Sequence, residues 1–450
     1  MYGTIFSNLA SKPGASTSNN TAASVSYEVD YELMNDVNEQ RQDEIALDNA
    51  LSTLDNMDTL VTLAEAHKDN GLSTDGLAFY HNQATALLQS IGAPAEQVVP
   101  SMENFNSSQQ ANIENLEFSL AGFKETMEKA WDAVIKFIKD MVNKVKAFFT
   151  KLMDKMPKLK KAAEAMKEKA GDTSGSPENK KVKVGSAVKN IVKDDKKTAD
   201  VKAITDALDA LTKIKVADEF IKLADADDFK KLESEDAAGI KGLTPSKLGI
   251  ETAKIKGVMS AGLTDVGGND VPAGYGLSAN DYTIAHLELP GNTSLVASHK
   301  NVQDADKTDA DGTVPALKRF SSLKFGSKSR AKKFDVDSDL EVETLSTGDV
   351  ENLCDGIIAF AEMYEKETDA IKDGQKKADE LTKLADKIKG NAGKSDYADV
   401  KEHLNAARGA FTTGATLALN PTRDIVAVGY TLGSSALTYC GKSLSEYKDD

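Results

Sequence analysis

From Leu116 to Met156, apolar side chains recur at every third or fourth position: Leu116, Leu120, Phe123, Met127, Trp131, Val134, Ile138, Met141, Val145, Phe148, Leu152 and Met156. That spacing is the period of an α-helix with one apolar stripe. Held without a break, it predicts a helix of at least about eight turns. A second row, Ala130, Ile135, Val142, Phe149 and Met153, widens the stripe. Trp131, Val134, Ile138, Met141, Val145 and Phe148 form the expected packing face. The opposite side is basic: Lys124 to Lys161 holds 11 Lys against 5 Asp+Glu, in a chain of net charge −16. Lys129, Lys136, Lys139, Lys144, Lys146 and Lys151 are the candidate cations for a partner or for DNA. Pro157 is expected to kink or stop the helix. Such a helix buries its stripe in a core or a partner; a membrane surface is the alternative.

A chain of 450 residues fits two to four domains. A pI near 5.0 disfavours nucleic-acid binding by the chain as a whole, since phosphate contacts need clustered cations. The two cysteines, Cys354 and Cys440, can build neither a disulfide framework nor a zinc site, and are expected to be buried free thiols. Met1 to Ala10 lacks the basic region and apolar core of a signal peptide. No apolar run approaches the roughly 18 residues of a membrane span. The expectation is a soluble protein made in a cytoplasm.

Taken in order, residues 1–25 are rich in Ser, Thr, Asn, Gly and Ala and read as a disordered leader. Residues 26–98 read as a helical hairpin, its helices divided at Asn70-Gly71 and the second capped by Ser73-Thr74-Asp75. Residues 99–112 read as a polar linker, 113–170 as the long basic helix, and 171–199 as a solvated Lys/Gly/Ser linker. In 200–346 a helix gives way to a small α+β region. There Thr283–Leu289 and Ser294–Ala297 flank the turn Pro290-Gly291-Asn292, and a third β-like run covers Arg319–Phe325. Residues 347–450 read as an antiparallel helical unit that opens with one long helix, Asp349 to Lys389. The fold class is mainly α, with long amphipathic helices, helical hairpins and a small central α+β region.

Motifs for chemistry fail on inspection. Asp304, Asp306, Asp309, Asp311 and Gly312 resemble a calcium loop, but with Gly312 at its sixth position the first and twelfth fall on Lys307 and Lys318, where carboxylates are required. Gly390-Asn391-Ala392-Gly393-Lys394-Ser395 resembles a phosphate loop, but Ile388 replaces the first glycine and no strand precedes it. His67, His81, His286, His299 and His403 show no metal-ligand spacing. No nucleophile elbow is present. The expectation is no enzyme, no cofactor, no metal and no catalytic residue.

The helix core Met127-Glu128-Lys129-Ala130-Trp131-Asp132-Ala133-Val134-Ile135-Lys136-Phe137-Ile138-Lys139 resembles the helix near the start of internal head proteins of large contractile-tailed bacteriophages. The run Asn420-Pro421-Thr422-Arg423-Asp424-Ile425-Val426-Ala427-Val428-Gly429-Tyr430, followed by Cys440-Gly441-Lys442-Ser443-Leu444, is similar to the closing helix of that family. The two helices and the order of segments make up roughly a fifth of the chain. The resemblance implies a structural protein packaged inside the capsid with the genome. It also implies other virion proteins as partners, and packaged DNA as a further one; the alternative, from the helix 116–156 alone, is a cytoplasmic interaction protein that binds a partner or a membrane surface. Processing by the head maturation protease is implied too, which in such phages cuts after glutamate. Ser101-Met102-Glu103 fits that pattern, as do Ser26-Tyr27-Glu28 and Leu444-Ser445-Glu446. Its place before the long helix singles it out, because a protease needs extended backbone there. Cutting after Glu103 is expected to release an acidic N-terminal part.

Overall fold

The computed structural model describes residues 32–90, 93–105, 108–193, 198–224, 237–266, 270–301, 312–331, 334–366, 368–392 and 400–447. The expected leader, the acidic run Asp304–Asp311 and Gly393–Ser395 lie outside them. The fold is mainly α with a small α+β region. Helices α1 (Glu32–His67) and α2 (Thr74–Ser90) form a hairpin, followed by two single turns, α3 (Ala95–Val98) and α4 (Met102–Phe105). The division between α1 and α2 comes from Gly71, whose φ of 72° lets its N–H reach the His67 carbonyl. Ser73 Oγ then caps Gly76 N.

Helix α5 spans Gln109–Asp172, and Ser108 caps it through Ala111 N. It begins inside the stretch read as linker and does not stop at Pro157. Proline deprives the Met153 carbonyl of its partner, and Met153 is 52% exposed, so water can take the place of that hydrogen bond. The stripe from Leu116 to Met156 is buried along its whole length. A dozen such side chains, at about 1.5–3 kcal/mol each, make this face a large contributor to the packing of the core.

The closing helices show why α5 is so fully covered. The long helix expected from Asp349 is described as α13 (Thr347–Lys366) and α14 (Thr368–Ala392), either side of residue 367, which lies outside the described residues, and both lie against α5. After them α15 (Lys401–Leu417) packs on α14, and α16 (Asn420–Leu444) packs against α5, α13 and α1. Nearly every residue of α16 is buried, so its hydroxyls bond within the helix: Thr431 to the Ala427 carbonyl and Ser434 to the Tyr430 carbonyl. Close approach needs small residues. A Cβ on Gly429 would lie 2.1 Å from Phe360 Cζ of α13.

Residues 171–199 are not a solvated linker. They hold β1 (Lys181–Lys183), the turn α6 (Val188–Ile191) and the short strands β2 (Val192–Lys193) and β3 (Thr198–Ala199). Val182, Val184, Val188, Ile191 and Val192 are buried. Strand β1 pairs antiparallel with β8 (Glu341–Glu343), Val182 opposite Val342. Helices α7 (Val201–Thr212) and α8 (Val216–Ala224) follow, then the short helices α9 (Ala237–Lys241), α10 (Pro245–Leu248) and α11 (Thr252–Met259).

The α+β region is an antiparallel meander of β4 (Thr264–Val266), β5 (Tyr282–Leu289), β6 (Thr293–Lys300) and β7 (Lys324–Ser329). The β5–β6 hairpin turns at Gly291 and Asn292, with φ of 73° and 54°, and its tip docks on residues 189–192 through Gly291 N to the Val192 carbonyl at 2.7 Å. A Cβ at Gly291 would sit 2.8 Å from the Lys189 carbonyl oxygen. The third β-like run is only partly strand, because Arg319–Ser321 closes helix α12 (Thr313–Ser321). That helix packs on α15 and stacks Phe320 on Phe220 of α8 at 5.4 Å. The amphipathic spacing Ala316, Leu317, Phe320 outweighs the local β propensity.

Gly429→Ala should destabilise the protein by about 1–3 kcal/mol through overpacking against Phe360, read as a lower urea midpoint with unchanged slope. Adding Phe360→Leu should recover part of the loss; a neutral Gly429→Ala would show that the helices do not meet there.

Candidate functional site

The lysines of α5 do not form a bare basic face. On one flank Lys151, Lys144 and Lys124 meet Asp36, Asp43 and Glu65 of α1, at 2.9, 2.5 and 2.7 Å. The partners run in reverse order, so α1 and α5 are antiparallel. On the other flank Lys139 and Lys146 meet Asp386 and Asp379 of α14 at 3.5 and 2.9 Å. Lys160 and Lys167 meet Glu362 and Asp355 of α13 at 3.0 and 2.6 Å. Helices α13 and α14 therefore follow one antiparallel track along α5. The hydrogen bond with Lys160 holds the Glu362 carboxyl below its ordinary pKa, and the bonds to Glu362 and Asp355 raise Lys160 and Lys167. Lys129 pairs with Glu125 one turn earlier. Lys136 is exposed.

Between these two rows lies the apolar stripe. Trp131, Val134, Ile138, Met141, Val145 and Phe148 are all buried. Arg408 of α15 lies over the Trp131 ring, 4.3 Å from its centroid. Burial lowers the Arg408 pKa to about 10. The face on which a membrane contact would depend is thus occupied by the protein's own helices. Among the described residues no helix is long and apolar enough to cross a membrane.

A cluster that sequence reasoning did not single out joins α1 to α16. Arg423 is fully buried. Its guanidinium meets Glu44 Oε1 at 2.8 Å, Asp424 Oδ1 at 2.8 Å and Gln40 Oε1 at 3.1 Å. Asp424, equally buried, faces Arg41 at 3.4 Å, and Asn420 donates to Glu44 at 2.7 Å. Strand β7 passes over the cluster at Gly326, where a Cβ would lie 3.3 Å from Asp424 Oδ2. Burial pulls the Arg423 pKa down, but Asp424 and Glu44 outweigh it and leave it above the ordinary value. The available signal was an adjacent Arg and Asp within an apolar helix.

The remaining candidates are simpler. Cys354 of α13 and Cys440 of α16 are buried and free. A hydrogen bond between them, together with burial, holds the Cys440 thiol well above its ordinary pKa and out of thiolate chemistry. His286 Nδ1 lies 2.6 Å from Tyr275 Oη beside β5. No group of three metal-capable side chains occurs among the described residues. A cleft of about 450 Å³ lies between α1, α5, α12 and α15; on its walls Lys324 is paired with Asp48, and Lys318 with Glu402.

The stretch Ser101-Met102-Glu103 is not extended. Met102 and Glu103 lie in the single turn α4, with Ser101 Oγ accepting from Asn104 N at 3.4 Å. Ser101 and Glu103 are exposed. The turn is tied to α5 through Asn115 Nδ2, which donates to the Asn104 carbonyl at 3.1 Å. One helical turn has little stability of its own, so a protease can unwind it at small cost.

The two kinds of charge pair should separate on mutation. Arg423→Ala strands the buried Asp424 and the partly buried Glu44 carboxylates and should cost about 3–5 kcal/mol, whereas Lys151→Gln removes a half-exposed pair and should cost under about 1 kcal/mol. Urea denaturation of both variants checks this; equal effects would show that the Arg423 cluster is open to water.

No curated protein and no solved structure matches the chain. A family model, that of the phiKZ-like phage internal head proteins, matches residues 28–442, from just ahead of α1 almost to the end of α16. The match takes in the α1–α5 pairing, the α+β region and the buried cluster on α16, and the chain belongs to the family of phiKZ-like phage internal head proteins.

Proposed function

We propose that this phage head protein is a non-enzymatic structural component of the capsid interior, made in the host cytoplasm, packaged with the genome and cut after Glu103 by the head maturation protease. The family match over 28–442 carries the reading. The internal pairing of α5 supports a structural role, since the lysines that would mark a nucleic-acid arm are spent on Asp36, Asp43, Asp379, Asp386 and their neighbours. Other virion proteins are therefore the principal partners, and packaged DNA the lesser one, met through exposed cations such as Lys136. Support for Glu103 comes from its exposure and from the single turn that holds it.

N-terminal sequencing and intact mass measurement on purified particles test this reading. The expected result is a species that begins at Asn104, with Glu103→Gln leaving full-length protein in the particle. A chain that begins at Met1 or Tyr2, with no species starting at Asn104, would contradict the cut, and absence of the protein from particles would contradict the location.

A further inference from the structure

We propose that residues 32–103 stay bound to the rest of the chain after the backbone is cut, so that the joint face of α5 and α16 is a docking site for this protein's own N-terminal segment. The proposal rests on the reading of Glu103 as the cut site and changes its consequence. Hydrolysis adds one water across the Glu103–Asn104 peptide bond and leaves a new carboxylate and a new ammonium. It breaks none of the contacts that hold the segment. Leu33, Val37, Leu54, Met57, Leu60 and Val61 of α1 lie in the same core as the α5 stripe. Tyr80 of α2 packs against Phe123, ring centroids 6.2 Å apart. Asn112 of α5 bonds the backbone of Leu72 in both directions, at 3.3 and 3.0 Å. Ser119 Oγ donates to the Val98 carbonyl at 3.0 Å, and Val98 fills the space over Gly122.

Charge decides between retention and release. Both pieces are net negative, which favours separation at long range. That repulsion is screened beyond about 8 Å at physiological ionic strength, whereas contact pairs are screened far less. The ion pairs between α1 and α5 attract: Asp36, Asp43 and Glu65 on Lys151, Lys144 and Lys124. Departure of the segment would also strip Arg423 of Glu44 and Gln40, and Asp424 of Arg41, inside an apolar helix packing. Contact chemistry therefore outweighs net charge. The cut does not shed the acidic segment; it turns an intramolecular pairing into an intermolecular one whose stability depends on concentration.

The test replaces Ser101–Ser108 of the full-length chain with a specific protease recognition sequence, cuts the purified protein, and examines it by size exclusion and native mass spectrometry at micromolar concentration. Retention predicts one species with the mass of the uncut altered chain plus one water, that separates into two pieces only in denaturant. An N-terminal piece eluting alone overturns the proposal. Quantitative mass spectrometry of particles gives a second readout that needs no altered chain: the two pieces in equal amounts support retention, and a body beginning at Asn104 without its N-terminal piece overturns it. Particles holding only full-length protein would sink the cut at Glu103 while leaving the docking face supported or refuted by the engineered cut.

Discussion

A helix of 64 residues with a continuous apolar stripe cannot stand alone in water, and α5 imposes that constraint on everything around it. The stripe supplies the energy, because each buried side chain contributes more than an exposed ion pair. The lysines on either side supply order. Pairing with α1 on one flank and with α13 and α14 on the other selects antiparallel neighbours and one axial register for each. Helix α16 then closes the assembly from a position so enclosed that glycine at 429 and back-bonded hydroxyls at 431 and 434 are needed.

Much of this plan could be read in the chain. The three-and-four spacing from Leu116 to Met156 specifies α5 because no other structure puts those residues on one face. Pro290-Gly291-Asn292 marks the hairpin because two left-handed residues suit a tight turn. The strap at 171–199 was hidden because its buried valines alternate with lysines: Lys181-Val182-Lys183-Val184 reads as solvated by composition, although alternation is what a half-buried strand needs.

The candidate site was legible in a different way. Periodicity identifies which lysines share a face, but it is silent on which carboxylates lie across from them, because those come from positions about 60 to 250 residues away in sequence. A basic face in an acidic chain suggests DNA until the acidic helices are seen lying beside it. The Arg423–Glu44–Asp424 cluster escaped for the same reason, since Glu44 sits near the start of the chain and Arg423 near its end.

Zero-length carbodiimide cross-linking of the full-length protein, with the linked peptides identified by mass spectrometry, addresses the pairing of α5 most directly. The structure predicts links from Lys151 to Asp36, Lys144 to Asp43, Lys146 to Asp379 and Lys167 to Asp355, within one chain and at all protein concentrations. Links from these lysines to carboxylates in a different order, or links formed only between separate chains, would contradict it.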